Sequence, residues 1–143
     1  MVAQYEFALL LKGHAKNIWQ HEPIPLAHLK LHTELPSALD GCQSVLTGTG
    51  WASNLEHDAR KLATKFQIPS IAVIDHWVNY KQRFEREGSI VLPNEIWVSD
   101  PYAYEIANNL FAGISVVELP NTYLNNLVKA IPPLPKNVKT CCM

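Results

Sequence analysis

The sequence predicts an α/β protein built on a doubly wound, mostly parallel sheet of about five strands. Three observations carry that expectation. Short apolar, β-branched runs recur, such as residues 70–74 (SIAVI) and 115–119 (SVVEL), and such residues suit a pleated, buried surface. Between them apolar residues repeat at spacings of three and four, the period of a helix with one buried face. The runs are also apolar throughout rather than alternating, as in parallel strands covered on both faces. The chain has 143 residues, 48% of them apolar and 17% charged, which suits one globular domain. Residues 1–131 are expected to form it and 132–143 a C-terminal tail.

The elements follow in order. Residues 5–11 (YEFALLL) read as a strand that Lys12-Gly13-His14 interrupts, with a weak helix over 14–20. Glu22-Pro23-Ile24-Pro25 is a turn, and 26–31 a second strand in which Leu26, Leu29 and Leu35 also permit helix. Residues 44–47 make a short strand running into Gly48-Thr49-Gly50. Ser53-Asn54-Leu55-Glu56 has the form of a capping box, in which a hydroxyl accepts from helix N–H groups and Glu56 reaches back to the cap. Leu55, Ala59, Leu62, Ala63 and Phe66 then share one helix face, and Pro69 ends the helix. After the strand 70–74, Asn79 is expected to cap a short charged helix carrying Lys81, Arg83, Glu85 and Arg86 and ending near Gly88. Residues 95–98 (EIWV) are a strand. Asp100 as N-cap and Pro101 at the first helical position start a helix that buries Ala103, Ile106, Ala107, Leu110 and Phe111. Residues 115–119 form the last strand, and Asn121 caps a helix bearing Leu124, Leu127, Val128 and Ile131, which Pro132-Pro133 stops.

Charge narrows the function. The formal net charge is -1, and both halves of the chain carry nearly equal numbers of each sign. No basic face is expected, which disfavours nucleic acid as a partner. No apolar run reaches the ~18 residues a transmembrane segment needs. Cys42, Cys141 and Cys142 form neither a disulfide framework nor a zinc-ligand spacing, so free thiols in a reducing cytoplasm are expected, with no metal.

Ligands of doubly wound folds bind beyond the carboxyl ends of the strands, where the strand order switches. That rule selects Gly13 and His14 after the first strand, Thr47, Gly48, Thr49 and Gly50 after the third, and Asp75-His76-Trp77 after the next. Glycines between a strand and a helix let the backbone approach a ligand, and the helix N-terminus favours a phosphate. In Asp75-His76-Trp77-Val78-Asn79-Tyr80, an acid, an imidazole, an indole, an amide and a phenol crowd the end of an apolar strand. Asp75 and His76 are the candidate catalytic base or acid. Trp77 can stack on a ring, Asn79 can bond hydroxyls, and Arg83, if it faces inward, can pair with Asp75 or hold an anion. The alternatives are plainer: a steric glycine turn, aromatics covering a sheet edge, and a solvated Arg83. His21, His28, His32 and His57 read as surface or loop residues, and Asp100 and Asn121 as helix caps. There is no nucleophile elbow and no metal-binding helix motif.

Over residues 43–124, Val45-Leu46-Thr47-Gly48-Thr49-Gly50-Trp51, the Asp75-x-Trp77-x-Asn79-Tyr80-x-x-Arg83-Phe84 core and Pro93-Asn94-Glu95-Ile96-Trp97-Val98-Ser99-Asp100 resemble a known family. It is the N-terminal half of GT-B-like glycosyltransferases and UDP-N-acetylglucosamine 2-epimerase-like proteins of bacterial surface-polysaccharide synthesis. The resemblance implies a three-layer, Rossmann-like domain facing a second domain across a cleft. It further implies that the C-terminal half of such an enzyme holds most of the nucleotide-sugar contacts while the N-terminal half tends to hold the acceptor. A sugar or sugar-nucleotide group is expected at the strand ends here, with no cofactor, in glycan or cell-envelope polysaccharide synthesis. The second half of such an enzyme is not found in these residues. The expectation is therefore a domain incomplete as a transferase alone, completed by a partner subunit. The alternative is a non-catalytic interaction or dimerisation module of the same fold.

Overall fold

The computed structural model describes residues 5–21 and 28–132. The expected turn at Glu22–Pro25, Cys141, Cys142 and the tail beyond Pro132 lie outside them. Four parallel strands form the main sheet: β3 (Val45–Thr47), β4 (Ser70–Ile74), β7 (Glu95–Val98) and β8 (Ser115–Glu118), paired in that order. Strands β1 (Phe7–Leu10) and β2 (Leu29–His32) pair in parallel with each other in a separate sheet. A small antiparallel hairpin joins β5 (Glu85–Arg86) and β6 (Ser89–Ile90). Helices α1 (Gly13–His21), α2 (Leu35–Leu39), α3 (Leu55–Lys65), α4 (Pro101–Leu110) and α5 (Thr122–Ala130) complete the chain. The protein is thus α/β with parallel strands, as the recurring apolar runs predict; α3 links β3 to β4 and α4 links β7 to β8, whereas β4 reaches β7 without an α-helix.

One face of the main sheet is the core. Parallel register puts Val45 beside Ser70, Ala72 beside Ile96, and Ile74 beside Val98, all pointing the same way. Ala103 and Ala107 of α4 lie against Ala72, Ile74, Ile96 and Val98, with Tyr80, Phe84 and Phe111 filling the remaining space. Alanines on α4 let its backbone approach the sheet, and Phe84 meets Phe111 edge to face at 5.2 Å between centroids. Ala63 of α3 packs with Val45 and with Leu39 of α2. Helices α3 and α4 therefore cover the same face.

The opposite face is different. Leu46, Ile71, Val73, Glu95, Trp97, Ser115 and Val117 point there, and none is buried. Neither α1 nor α5 buries a residue. Among the described residues, the packed molecule is a sheet with one helical layer.

Several expectations need correction. The charged helix expected from Asn79 to Gly88 is a 3-10 turn over Gln82–Phe84 followed by the β5–β6 hairpin. Asn79 does not cap a helix; it is exposed and left-handed at φ 60°, a conformation that asparagine tolerates. The segment is held by tertiary contacts instead: Tyr80, Arg83 and Phe84 are buried, and Arg83 donates to Val78 O and Thr49 O. The second strand runs to His32 rather than Leu31, and the short α2 was not expected. His57, read as a surface residue, is buried on α3. Phe66 and Leu110, assigned to buried faces, are exposed at the ends of their helices. The caps at Asp100 and Asn121 form, accepting from Ala103 N and Leu124 N, each at 2.9 Å.

Candidate functional site at the strand ends

The turn after β3 is held from several sides. Thr47 and Thr49 are buried, and their hydroxyls donate to Ile71 O (3.4 Å) and Val73 O (3.0 Å) of β4. These side chains extend the ladder between the two strands past the end of β3. Three guanidinium groups then take three successive carbonyls. Arg60 Nη1 donates to Gly48 O at 3.0 Å, Arg83 Nη1 to Thr49 O at 3.3 Å, and Arg86 Nη2 to Gly50 O at 2.7 Å. Arg60 also donates to Thr47 Oγ1 at 3.0 Å and lies over the Phe84 ring.

Glu56 does not complete a capping box. Its Oε2 accepts from Gly50 N at 2.5 Å, while the cap residue Asn54 makes no side-chain bond to the helix. The two glycines explain the approach. A Cβ on Gly48 would overlap Glu56 Oε1, and one on Gly50 would sit 3.2 Å from Oε2. Neither glycine has a positive φ, so space for the carboxylate, not backbone conformation, selects them.

The end of β4 meets this loop through Arg83. Its Nε donates to Val78 O at 3.0 Å, and Nη1 lies 4.0 Å from Asp75 Oδ1. Arg83 faces inward and is buried, so the solvated reading is excluded. The pair with Asp75 contributes little, because the Asp75 side chain is 83% exposed and screened by water. Trp77 is exposed, and its Nε1 donates to Asp100 Oδ2 at 2.9 Å, tying the end of β4 to the start of α4. His76 is exposed, and its Nδ1 accepts from Trp77 N at 3.3 Å. Trp51 is half exposed, with the Arg83 and Arg86 guanidiniums 5.9 and 5.8 Å from its ring centroid.

The electrostatics are those of a partly desolvated cationic corner. Burial pushes Arg60 down to about 10, with Glu56 opposing and Arg86 adding to the shift, so it stays charged at neutral pH. Burial also lowers His57, helped by Arg60 and Arg86. Its Nδ1 and the Nε of Arg60 are buried with no hydrogen-bond partner among the described residues. Burial raises Tyr80, and the Asp100 charge adds to this. The Ala103 N–H bond holds Asp100 below the usual carboxylate range, and the Trp77 bond adds to it.

Thr47, Gly48, Thr49, Gly50, Asp75, His76, Trp77, Asn79 and Arg83 are thus gathered at the carboxyl ends of β3 and β4, in the same region as Trp51 and Asp100. Gly13 and His14 are not joined to them: they begin α1 after β1, in the other parallel pair, and no hydrogen bond links them to the cluster. Sequence reasoning missed Glu56, Arg60 and Arg86 as members. The i, i+4 spacing of Glu56 and Arg60 was available as a signal, but only the fold shows that both turn toward the glycines. Two open clefts lie elsewhere, one of about 650 Å³ beside Leu39, Cys42 and Phe66 and one of about 530 Å³ between Lys12, Leu35 and Lys65. Neither includes a residue of the cluster. Among the described residues no three His, Cys, Asp or Glu side chains gather to hold a metal ion, and no helix is long and apolar enough to cross a membrane. Comparisons with family models, curated proteins and solved structures return no match.

Proposed function

We propose that this chain is a Rossmann-like domain of the GT-B type that binds a sugar or sugar-nucleotide group at the carboxyl ends of its parallel strands. It would serve cytoplasmic steps of glycan or cell-envelope polysaccharide synthesis. One observation supports the reading above the others: Arg83 donates to Thr49 O and lies 4.0 Å from Asp75, so the polar ends of two neighbouring strands are held side by side. Sugar hydroxyls need carboxylate, amide and imidazole partners beside an aromatic platform. Asp75, Asn79, His76 and Trp77 supply these at one strand end, all exposed to solvent. If the completed protein is a glycosyltransferase or epimerase, Asp75 or His76 is the group placed to move a proton. Titration calorimetry with UDP-N-acetylglucosamine tests the binding. The wild type is expected to bind and Asp75→Ala to bind more weakly; absence of wild-type heat at millimolar ligand rejects the reading.

A separate observation favours a second reading, an interaction or dimerisation module. All-parallel sheets are ordinarily covered on both faces, yet here Leu46 is 59% exposed and Trp97 half-exposed on the uncovered face. A second copy or partner subunit that supplies the missing layer would account for this. Light scattering over a range of protein concentration tests it: a monomer throughout, together with no partner in a pull-down, rejects the module.

A further inference from the structure

The glycine turn after β3 already holds an anion, and that anion belongs to the protein. Glu56 Oε2 takes the Gly50 N–H, and Glu56 Oε1 fills the space left by the missing Cβ of Gly48. Glu56 makes no ion pair within 4.0 Å among the described residues, although three arginines converge on the same turn. Its carboxylate is therefore held by the Gly50 N–H. At the start of α3 beside it, Ser53 Oγ accepts from Leu55 N at 3.4 Å while Asn54 supplies no side-chain cap, and the helix start carries a partial positive charge.

One further feature shows a cationic donor that the described residues do not match. Arg60 is 1% exposed and its guanidinium reaches Gly48 O, yet its Nε meets no acceptor. Arg83, also buried, donates through Nε to Val78 O and through Nη1 to Thr49 O. Buried guanidinium donors are normally matched by acceptors, because an unmatched one keeps the cost of desolvation. A phosphate has more charge and more acceptor oxygens than a carboxylate, and its geometry suits forked guanidinium donors.

We propose that the Gly48–Trp51 turn, with the start of α3 and Arg60, Arg83 and Arg86, is a subsite for a phosphate or diphosphate group. In the ligand-free chain the Glu56 carboxylate occupies that subsite and must leave before the ligand enters. This deepens the sugar-nucleotide reading by naming where its phosphate would sit, and Glu56 is the internal competitor. Arg86 and the Gly50 N–H make direct contact, whereas Arg60, being buried, acts through its charge. The indole of Trp51, with two guanidiniums near its ring and about half its surface in solvent, flanks the same space.

The test uses inorganic pyrophosphate as probe, with the Gly50 amide resonance and calorimetry as readouts. Glu56→Ala is expected to bind pyrophosphate at least tenfold more tightly than the wild type, with a large Gly50 shift. Adding Arg86→Gln is expected to abolish most of the gain. Equal or weaker binding by a folded Glu56→Ala, or a Gly50 amide that does not move, overturns the proposal. If Glu56→Ala does not fold, Glu56→Gln keeps an acceptor for Gly50 N while removing the charge; it must still bind more tightly than the wild type, and failure to do so also overturns the proposal. A uridine diphosphate arm separates the sources: tighter binding than pyrophosphate assigns the group to a nucleotide, and equal binding assigns it to free phosphate. Pyrophosphate without UDP-N-acetylglucosamine binding would leave this subsite standing and remove the sugar-nucleotide reading, and the reverse result would remove the subsite alone.

Discussion

Tyr80 carries a phenol oxygen into the core, where nothing receives it: the side chain is 2% exposed, and its hydroxyl has no partner among the described residues. A buried polar group without a bond keeps the cost of its desolvation, about 1–3 kcal/mol. Tyr80→Phe should therefore leave the unfolding free energy unchanged or raise it by about 1 kcal/mol, as read by urea denaturation. Phe84→Ala, at a fully buried ring in the same cluster, should cost about 3–5 kcal/mol. His57 is the second residue with an orphaned atom, and it makes stability depend on pH. Burial, then Arg60 and Arg86, and lastly Lys61 lower its pKa below 6.5, and only Asp58 pulls the other way. The folded chain binds this proton less well than the unfolded chain. The favourable contribution is thus complete above about 6.5 and is lost as pH falls from there through the lowered folded value. Urea midpoints measured between pH 7 and pH 5 should fall for the wild type and fall less for His57→Asn. A parallel fall in both would assign the effect elsewhere.

At the scale of elements, local chemistry settles the ends of α4 and α5, while tertiary contacts settle the segment between β4 and β7. Asp100-Pro101 is a helix start that needs no distant partner, and Asp100 Oδ1 does accept from Ala103 N. Asp100→Ala should cost about 1 kcal/mol at neutral pH. Its pKa is lowered in the fold, so this contribution is present above the ordinary value of 3.8 and is lost as pH falls below it. The difference between wild type and variant should therefore shrink in acid, and the variant should change Trp77 emission because its indole N–H loses Asp100 Oδ2. The segment around Arg83 could not be read in this way. Its charges suggest a solvated helix face, but Arg83 bonds to Val78 O and Thr49 O, and these acceptors lie 5 and 34 residues away. A helix with Arg83 at its surface could not reach them. Arg83→Met should leave both carbonyls unmatched and cost about 1–3 kcal/mol. Amide hydrogen exchange at Thr49 and Gly50 should speed up by more than that at Ile74, which lies within the ladder.

At the scale of the molecule, the two faces of the main sheet differ in kind. Leu46 and Ile96 are both apolar strand residues, but Leu46 points to the uncovered face and Ile96 into the core. Leu46→Lys should change stability by less than about 0.5 kcal/mol, whereas Ile96→Lys should prevent folding, since a lone buried ammonium cannot be accommodated. If the uncovered face is an association surface, Leu46→Lys should also shift light scattering toward monomer. The sequence by itself determined that this is an α/β protein with parallel strands, where β3, β4, β7 and β8 fall, and which residues start α4 and α5. Those features depend on apolar runs, helical periodicity and caps, all of them interactions within a few residues. It also marked Thr47–Gly50 and Asp75–Trp77 as strand ends with unusual chemistry. Only the tertiary structure decided that Glu56 leaves its expected cap for Gly50, that Arg60, Arg83 and Arg86 meet on three successive carbonyls, and that both crossover helices cover the same face. These outcomes are set by which side chains become neighbours across the sheet, and no spacing along the chain records that.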